Sequence, residues 1–457
     1  MGVVDLLRMP AGVDDRAAAA AAPDERTLAS LGAVTNAGRP RLHPAWTVAA
    51  VAFVALVGAA GFRATPGVLI EPLHHEFGWS TATISVAVSV NLLLFGLTAP
   101  FAAALMDRFG IRRVVAVALT LVSVGSGLTV LMTRVWQLIA CWGVLVGLGT
   151  GSMALVFGAT IANRWFTERR GLVVGILTAG GAAGQLVFLP LLSLLVQRHG
   201  WRTAALTVSG VALLVVPLVV VFLRERPSDL GLLPYGATVA VPVPVQTLSP
   251  ARAALDALRF AAGTRAFWLL AGGFAICGAT TNGLVGTHFI PAAHDHGMGP
   301  TTAASLLAVV GVFDIVGTIA SGWLTDRSDS RLLLGWYYLL RGLSLFALPV
   351  LFAATPQARI LLFVVFYGLD WVATVPPTVA LCRQQFGDRG TLVFGWVFAS
   401  HQVGAALAAG LAGLLRTRLG SYDVAWLAAG ALCLVAAGLS MTIGRVRVGT
   451  APAVAVA

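Results

Sequence analysis

Four full charges lie inside long apolar runs of this chain: Arg63, Asp314, Arg341 and Asp370. Each costs about 2.5–3.5 kcal/mol at the centre of a lipid-embedded helix, so each must face protein or a water-filled cavity. An arginine keeps its charge in proteins and grips a carboxylate with two parallel N–H bonds. A buried carboxylate can exchange a proton. Together these groups could bind an organic anion and carry a proton with it. Asn282, Thr281, His288 and Gln185 add neutral hydrogen-bonding groups in apolar runs, as do Thr280 and His401. Interhelical bonding, or for His401 a satisfied core position, is the plainer use of such residues.

Depth sorts the charges. Asp314 lies 12 residues before Asp326, Arg341 lies 10 after Arg331, and Asp370 lies 13 before Arg383. At about 1.5 Å per residue these three share one level within roughly 5 Å. Arg341 therefore has two partners at its own depth, Asp314 or Asp370, for an intramembrane ion pair. Arg63 lies roughly 5–10 Å nearer the other face. The pair leaves one aspartate, Asp314 by preference, to carry the proton. It leaves Arg63 for a substrate carboxylate, or for Asp370 across the cavity. A carboxylate moving with a proton carries no net charge.

Long apolar elements must position these residues. The chain has 457 residues, is 58% hydrophobic and 11% charged, and has a mean hydropathy of +0.87. A soluble protein carries about 25% charged residues, so the solvent for most of this chain is lipid. Runs of about 20 apolar residues are long enough to span a bilayer. Twelve are expected, near 46–70, 80–105, 113–132, 136–161, 172–195, 203–223, 266–290, 301–324, 332–353, 359–382, 391–415 and 422–444. This makes an all-α integral membrane protein with six spans in 46–223 and six in 266–444. A Pro-rich linker over 224–265 joins them, between tails at 1–45 and 445–457. Thr65-Pro66-Gly67 and Pro376-Pro377 predict helix breaks beside Arg63 and Asp370.

All 30 basic residues are arginines. With the N-terminus inside, internal segments hold 22 of them and external segments six. Arginine bias of this kind sets orientation, so both termini are expected on the cytoplasmic side.

A shift of 219 positions aligns Pro72 with Pro291, Gly78 with Gly297, Asp107-Arg108 with Asp326-Arg327, Arg112 with Arg331, and Arg170-Gly171 with Arg389-Gly390. It also sets Asn282 opposite Arg63. Parallel repeats about an axis along the membrane normal are a transporter pattern.

DRFGIRR at 107–113 and DRSDSR at 326–331 resemble the two loop signatures of the major facilitator superfamily, over roughly residues 45–445. The resemblance implies the two-bundle major facilitator fold of twelve helices in two pseudo-symmetric sets of six. It also implies a cytoplasmic gate at Asp107, Arg108, Gly110, Arg112, Arg113, Asp326, Arg327 and Arg331. GVLIEPLHHEFGWS at 67–80 and NRWFTERRGLVVGI at 163–176 resemble the monocarboxylate porter group, which includes oxalate–formate type exchangers. There a cation in the first span meets the substrate carboxylate, the place of Arg63, and an aspartate in the eighth span matches Asp314. Members commonly follow that aspartate with an arginine one turn later; Thr318 stands here instead.

The expected function is secondary transport of a small organic anion, by proton coupling or exchange, in a cell membrane, by a monomer. A proton-coupled efflux pump for amphipathic compounds on the same fold is the alternative. A receptor or an enzyme fits less well, since no nucleophile–base pair lies near the midplane. The +11 net charge falls in short clusters between spans, not as a stripe for nucleic acid. GLGTGSM lacks the lysine of a phosphate loop, so no ATP site is expected. The four cysteines are too widely spaced for a metal or disulfide frame, and His74-His75 and His294-Asp295-His296 sit in loops. No cofactor and no metal are expected.

Overall fold

The computed structural model describes residues 43–79, 81–239, 249–298, 300–353 and 359–444. Side chains at 62–68, 70–71, 81–82, 85, 189, 300–301 and 353 lie outside that description. The first six spans are α1 Pro44–Phe77, α2 Thr81–Phe109, α3 Ile111–Thr129, α4 Val135–Trp165, α5 Arg170–His199 and α6 Trp201–Phe222. A helix in the linker follows, α7 Pro250–Ala262. The last six spans are α8 Arg265–Asp295, α9 Pro300–Thr325, α10 Ser330–Ala353, the split pair α11 Ile360–Asp370 and α12 Val375–Phe386, α13 Gly390–Leu419 and α14 Asp423–Met441.

Eleven helical stretches among the described residues are long and apolar enough to cross a membrane, and one of them, Ile360–Leu419, has 60 residues. At about 1.5 Å per residue it would extend roughly 90 Å, three bilayer cores. It turns back instead at the tight turn Gly387–Arg389, and α12 packs along α13. Counted as two crossings, it brings the number to the expected twelve.

The helices are apolar on nearly every face, as suits elements with protein on one side and lipid on the other. Leu93, Leu131, Leu214, Val350 and Phe366 stand on the outer surface. Prolines 100, 190, 217, 291 and 349 lie within helices, which neighbouring helices make tolerable in lipid.

The two bundles meet mainly along α5–α9 and α2–α13. Small residues allow the approach. A Cβ on Gly175 would lie 2.6 Å from the Thr318 carbonyl oxygen, and one on Gly395 would lie 2.6 Å from Pro100 Cα.

One expectation needs correction. Helix α1 continues through Thr65-Pro66-Gly67 without a break; the break among the first six spans comes at Met153-Ala154 in α4, after the glycine-rich GLGTGS. The linker contains a helix. Its helix α7 buries Ala253, Ala254, Ala257 and Ala261 against α2 and α13.

Candidate functional site

The prolines of span ten act through position. Pro376 and Pro377 occupy the first turn of α12, where a missing N–H costs nothing. The helix therefore ends at Asp370 and restarts at Val375, and the four residues between, Trp371–Thr374, are irregular backbone. Such a segment in lipid needs partners for its freed polar groups.

Arg341 supplies several. It is 1% exposed, its Nε donates to Asp370 Oδ2 at 2.6 Å, and its Nη2 donates to the carbonyls of Asp370 at 2.6 Å and Trp371 at 3.2 Å. Its Nη1 donates to Cys277 Sγ at 3.0 Å. The ion pair expected with Asp314 or Asp370 is thus made with Asp370. Asp314 meets the same segment from the other side: its Oδ1 accepts the Val372 N–H at 3.0 Å and the Thr318 hydroxyl at 2.8 Å.

A cavity of about 510 Å³ lies between the two bundles, lined by α1, α2, α4 and α5 on one side and α8, α9, α12, α13 and the broken segment on the other. Part of its lining follows the internal repeat. Phe95 and Asp314, Met153 and Val372, Leu155 and Thr374, and Ala182 and His401 all line it, and each pair is 219 positions apart. The breaks at Met153-Ala154 and at Trp371–Thr374 are repeat counterparts too. At those four pairs of positions the two bundles contribute equivalent residues to the cavity.

Of the residues expected to bind substrate, Thr281, Asn282 and Gln185 line this cavity. Thr281 and Asn282 sit on a π-helical stretch, Ala279–Val285, a distortion that recurs at functional sites. His288 is not among the lining residues. It bonds the Ala409 carbonyl at 2.9 Å and the Tyr422 hydroxyl at 3.3 Å inside the last six spans. Asp314 lines the cavity, whereas Asp370 and Arg341 are not among its lining residues. Arg63 lies outside the described side chains.

Gln402, Thr374, Thr150 and Thr178 also line the cavity, with Phe95, Phe398 and Trp371. Among the described lining residues Asp314 is the only Asp, Glu or Arg. The sequence pointed to none of these polar four; the repeat could have found Thr374, the counterpart of a cavity position in α4.

The loop signatures lie at the end of the bundles that carries the linker. Asp107 pairs with Arg164 at 2.6 Å, within the first bundle. Asp326 reaches across to α5, where its Oδ1 and Oδ2 accept the Gly171 and Leu172 N–H groups at 2.7 and 2.9 Å. Glu225 does the same for the start of α3, taking the N–H of Ile111 at 2.5 Å and Arg112 at 3.0 Å. Gly110, at φ +91°, leaves the room: a Cβ there would lie 2.6 Å from the Glu225 carboxylate. Arg331 binds Asp329 at 2.6 Å and the Ile443 carbonyl at 2.9 Å. Arg327 and Arg108 lie over the rings of Trp323 and Phe109, and Arg113 is exposed.

A family model described as Major Facilitator Superfamily matches residues 51–392 and 276–454. Monocarboxylate transporter 13 of Rattus norvegicus is 30% identical over 404 residues, 87% of this chain and 88% of that protein. The uncharacterized MFS-type transporter YcxA of Bacillus subtilis is 26% identical over 421 residues, 88% of this chain and 95% of that protein. The structure of the human organic anion transporter MFSD10 superposes with a TM-score of 0.67 at 15% identity, over 87% of this chain and all of that one. At that identity the likeness is one of fold.

Proposed function

Because the chain belongs to the Major Facilitator Superfamily, and is by that membership a multi-pass membrane transporter and not an enzyme, we propose that it moves small, monocarboxylate-like organic anions by alternating access. Transport is coupled to a proton or to a counter-anion. The observation that supports this reading is the run of α1 residues in the cavity lining. The cavity residues of α1, Leu56, Ala59 and Ala60, recur at helical spacing, and three or four residues on the same spacing reaches Arg63. Its repeat counterpart, Asn282, lines the opposite wall. An arginine at that place has a carboxylate as its natural ligand, and the relative of 30% identity is named a monocarboxylate transporter. Asp314 is the proposed proton carrier, because Asp370 is engaged by Arg341. Both termini are proposed to face the cytoplasm, the protein to be a monomer of the plasma or inner membrane, and the bonds at Asp326 to close its cytoplasmic side.

The test is purified protein in liposomes with an imposed pH gradient and labelled carboxylates. Uptake or exchange should fall at least about tenfold in Arg63→Ala, the loss of one charge-assisted pair, and partly recover in Arg63→Lys. Wild-type rates in both variants would sink the assignment.

One observation favours a second reading. The described lining carries a single carboxylate and several aromatic rings, which suits proton-coupled efflux of amphipathic cations. Transport of such compounds, with no carboxylate moved, would favour it.

A further inference from the structure

The broken segment of span ten is held by side chains from three other helices, and those of Asp314, Ser321 and Arg341 fall on backbone groups at the break. From α9, Asp314 takes the Val372 N–H and the Ser321 hydroxyl donates to the Ala373 carbonyl at 2.5 Å. From α10, Arg341 takes the carbonyls of Asp370 and Trp371. From α8, Cys277 Sγ lies 3.2 Å from Thr374 Oγ1. This segment is also cavity wall: Trp371, Val372 and Thr374 line the cavity, as do Asp314 and Cys277.

We infer that Asp314 is a positioning residue for the cavity wall as well as the proposed proton carrier. Its carboxylate sets Val372–Thr374 through one backbone N–H, and Thr318 holds the carboxylate in place to do so. Arg341 and Asp370, bonded to each other, pin the start of the segment, and Asp314, Ser321 and Cys277 hold the rest of it. The other groups facing this place are Tyr337 of α10, beside Ser321, and Cys277 of α8. Helix α5, packed on the same face of α9, brings Thr178 and Gln185 to the cavity and no charged side chain there. Whatever binds Asp314, proton or substrate, is thereby passed to Trp371 and Thr374. That consequence rests on the transport reading, whereas the wall-holding geometry does not.

Cys277 supplies a readout independent of substrate. The purified full-length protein in liposomes is treated with N-ethylmaleimide, and each cysteine is followed by mass spectrometry. Cys277 of the wild type should react slowly, being 2% exposed. In Asp314→Leu and in the isosteric Thr318→Val its rate should rise about fivefold, the factor given by one lost hydrogen bond of ordinary strength. Asp314→Asn, which keeps an oxygen for the Val372 N–H, and Thr318→Ser should both stay near wild type. Unchanged labelling of Cys277 in both Asp314→Leu and Thr318→Val overturns the inference. So does a rise shared equally by the buried Cys382 and Cys433, which would mean general loosening. If wild-type protein moves no carboxylate, the anion reading falls while the labelling still decides this one.

Discussion

Asp326 and Gly171 belong to different bundles, yet the Asp326 Oδ1 accepts the Gly171 N–H at 2.7 Å. A carboxylate at a helix N-terminus meets both unpaired donors and the positive end of the helix dipole. The repeat makes Asp107 the counterpart of Asp326, and Gly390 the counterpart of Gly171. The symmetric bond is not formed: Asp107 turns to Arg164 of its own bundle. The second junction is bridged by neutral groups, Asn163 Nδ2 to Thr391 Oγ1 at 3.1 Å. The two loop signatures are alike in sequence and differ in what they hold.

Asp326→Asn should therefore open this end more than Asp107→Asn. An exposed capping carboxylate is worth about 1 kcal/mol, close to a fivefold change in population. Spin labels at Phe109→Cys and Ser328→Cys, exposed and on different bundles, would report it in a Cys141→Ser background. A larger open fraction in Asp107→Asn than in Asp326→Asn would contradict the asymmetry.

The same interface depends on close backbone approach. Gly175→Val would place its Cβ 2.6 Å from the Thr318 carbonyl, and neither partner is a flexible side-chain end. The helices must part, so the open fraction at the same label pair should rise beyond that of Asp326→Asn. An unchanged distance distribution would show that α5 and α9 do not close this end.

How far the sequence reaches is clear from individual residues. Hydropathy placed the spans because lipid leaves no other solution for such runs. The depth count narrowed the partner of Arg341 to two aspartates. It could not choose, since the choice lies with the carbonyls of Asp370 and Trp371 on the same side as the Asp370 carboxylate. Proline marked one break correctly and suggested one that is absent: Pro376 starts a helix, whereas Pro66 sits inside a long one. The break at Met153-Ala154 has no proline, and only its glycine-rich run and its repeat partner point to it. The partner of Asp107 was hidden because Arg164 lies 57 residues away in the chain, a tertiary pairing without local spacing.

The Arg341–Asp370 pair should be costly to break from either side. Removing one buried partner strands the other charge, and Asp370→Leu should lose on the order of 3–5 kcal/mol, seen as a lower melting temperature in detergent. Where a pair only neutralises itself, apolar replacement of both partners restores stability. Here Arg341→Met with Asp370→Leu should recover only part, because two carbonyls at the break lose their donor, at about 1–3 kcal/mol each. A double variant as stable as wild type would show that Arg341 does not brace the break.

The linker helix gives a contrasting expectation. Arg389 and Asp256 pair at 3.2 Å with both side chains nearly half exposed, and such pairs contribute about 0–1 kcal/mol. The anchor is instead the buried alanine face of α7 and the Trp396 Nε1 bond to the Ala254 carbonyl at 2.9 Å. Asp256→Asn should leave the melting temperature unchanged, while Ala254→Glu should lower it and expose the 249–263 region to protease. Equal effects from the two would refute this division.

Asn282 and His288 separate binding from packing, six residues apart on one helix. Asn282 lines the cavity and is the repeat counterpart of Arg63, so Asn282→Ala should raise KM for a transported carboxylate by about tenfold, one hydrogen bond to a charged group, with little change in melting temperature. His288 bonds Ala409 and Tyr422 away from the cavity. His288→Phe should lower the melting temperature, by leaving the Ala409 carbonyl without that donor, and should leave KM nearly unchanged, since His288 is not among the residues lining the cavity. A KM effect confined to His288→Phe would move the binding site away from the cavity between the bundles and toward the Tyr422 end of α8.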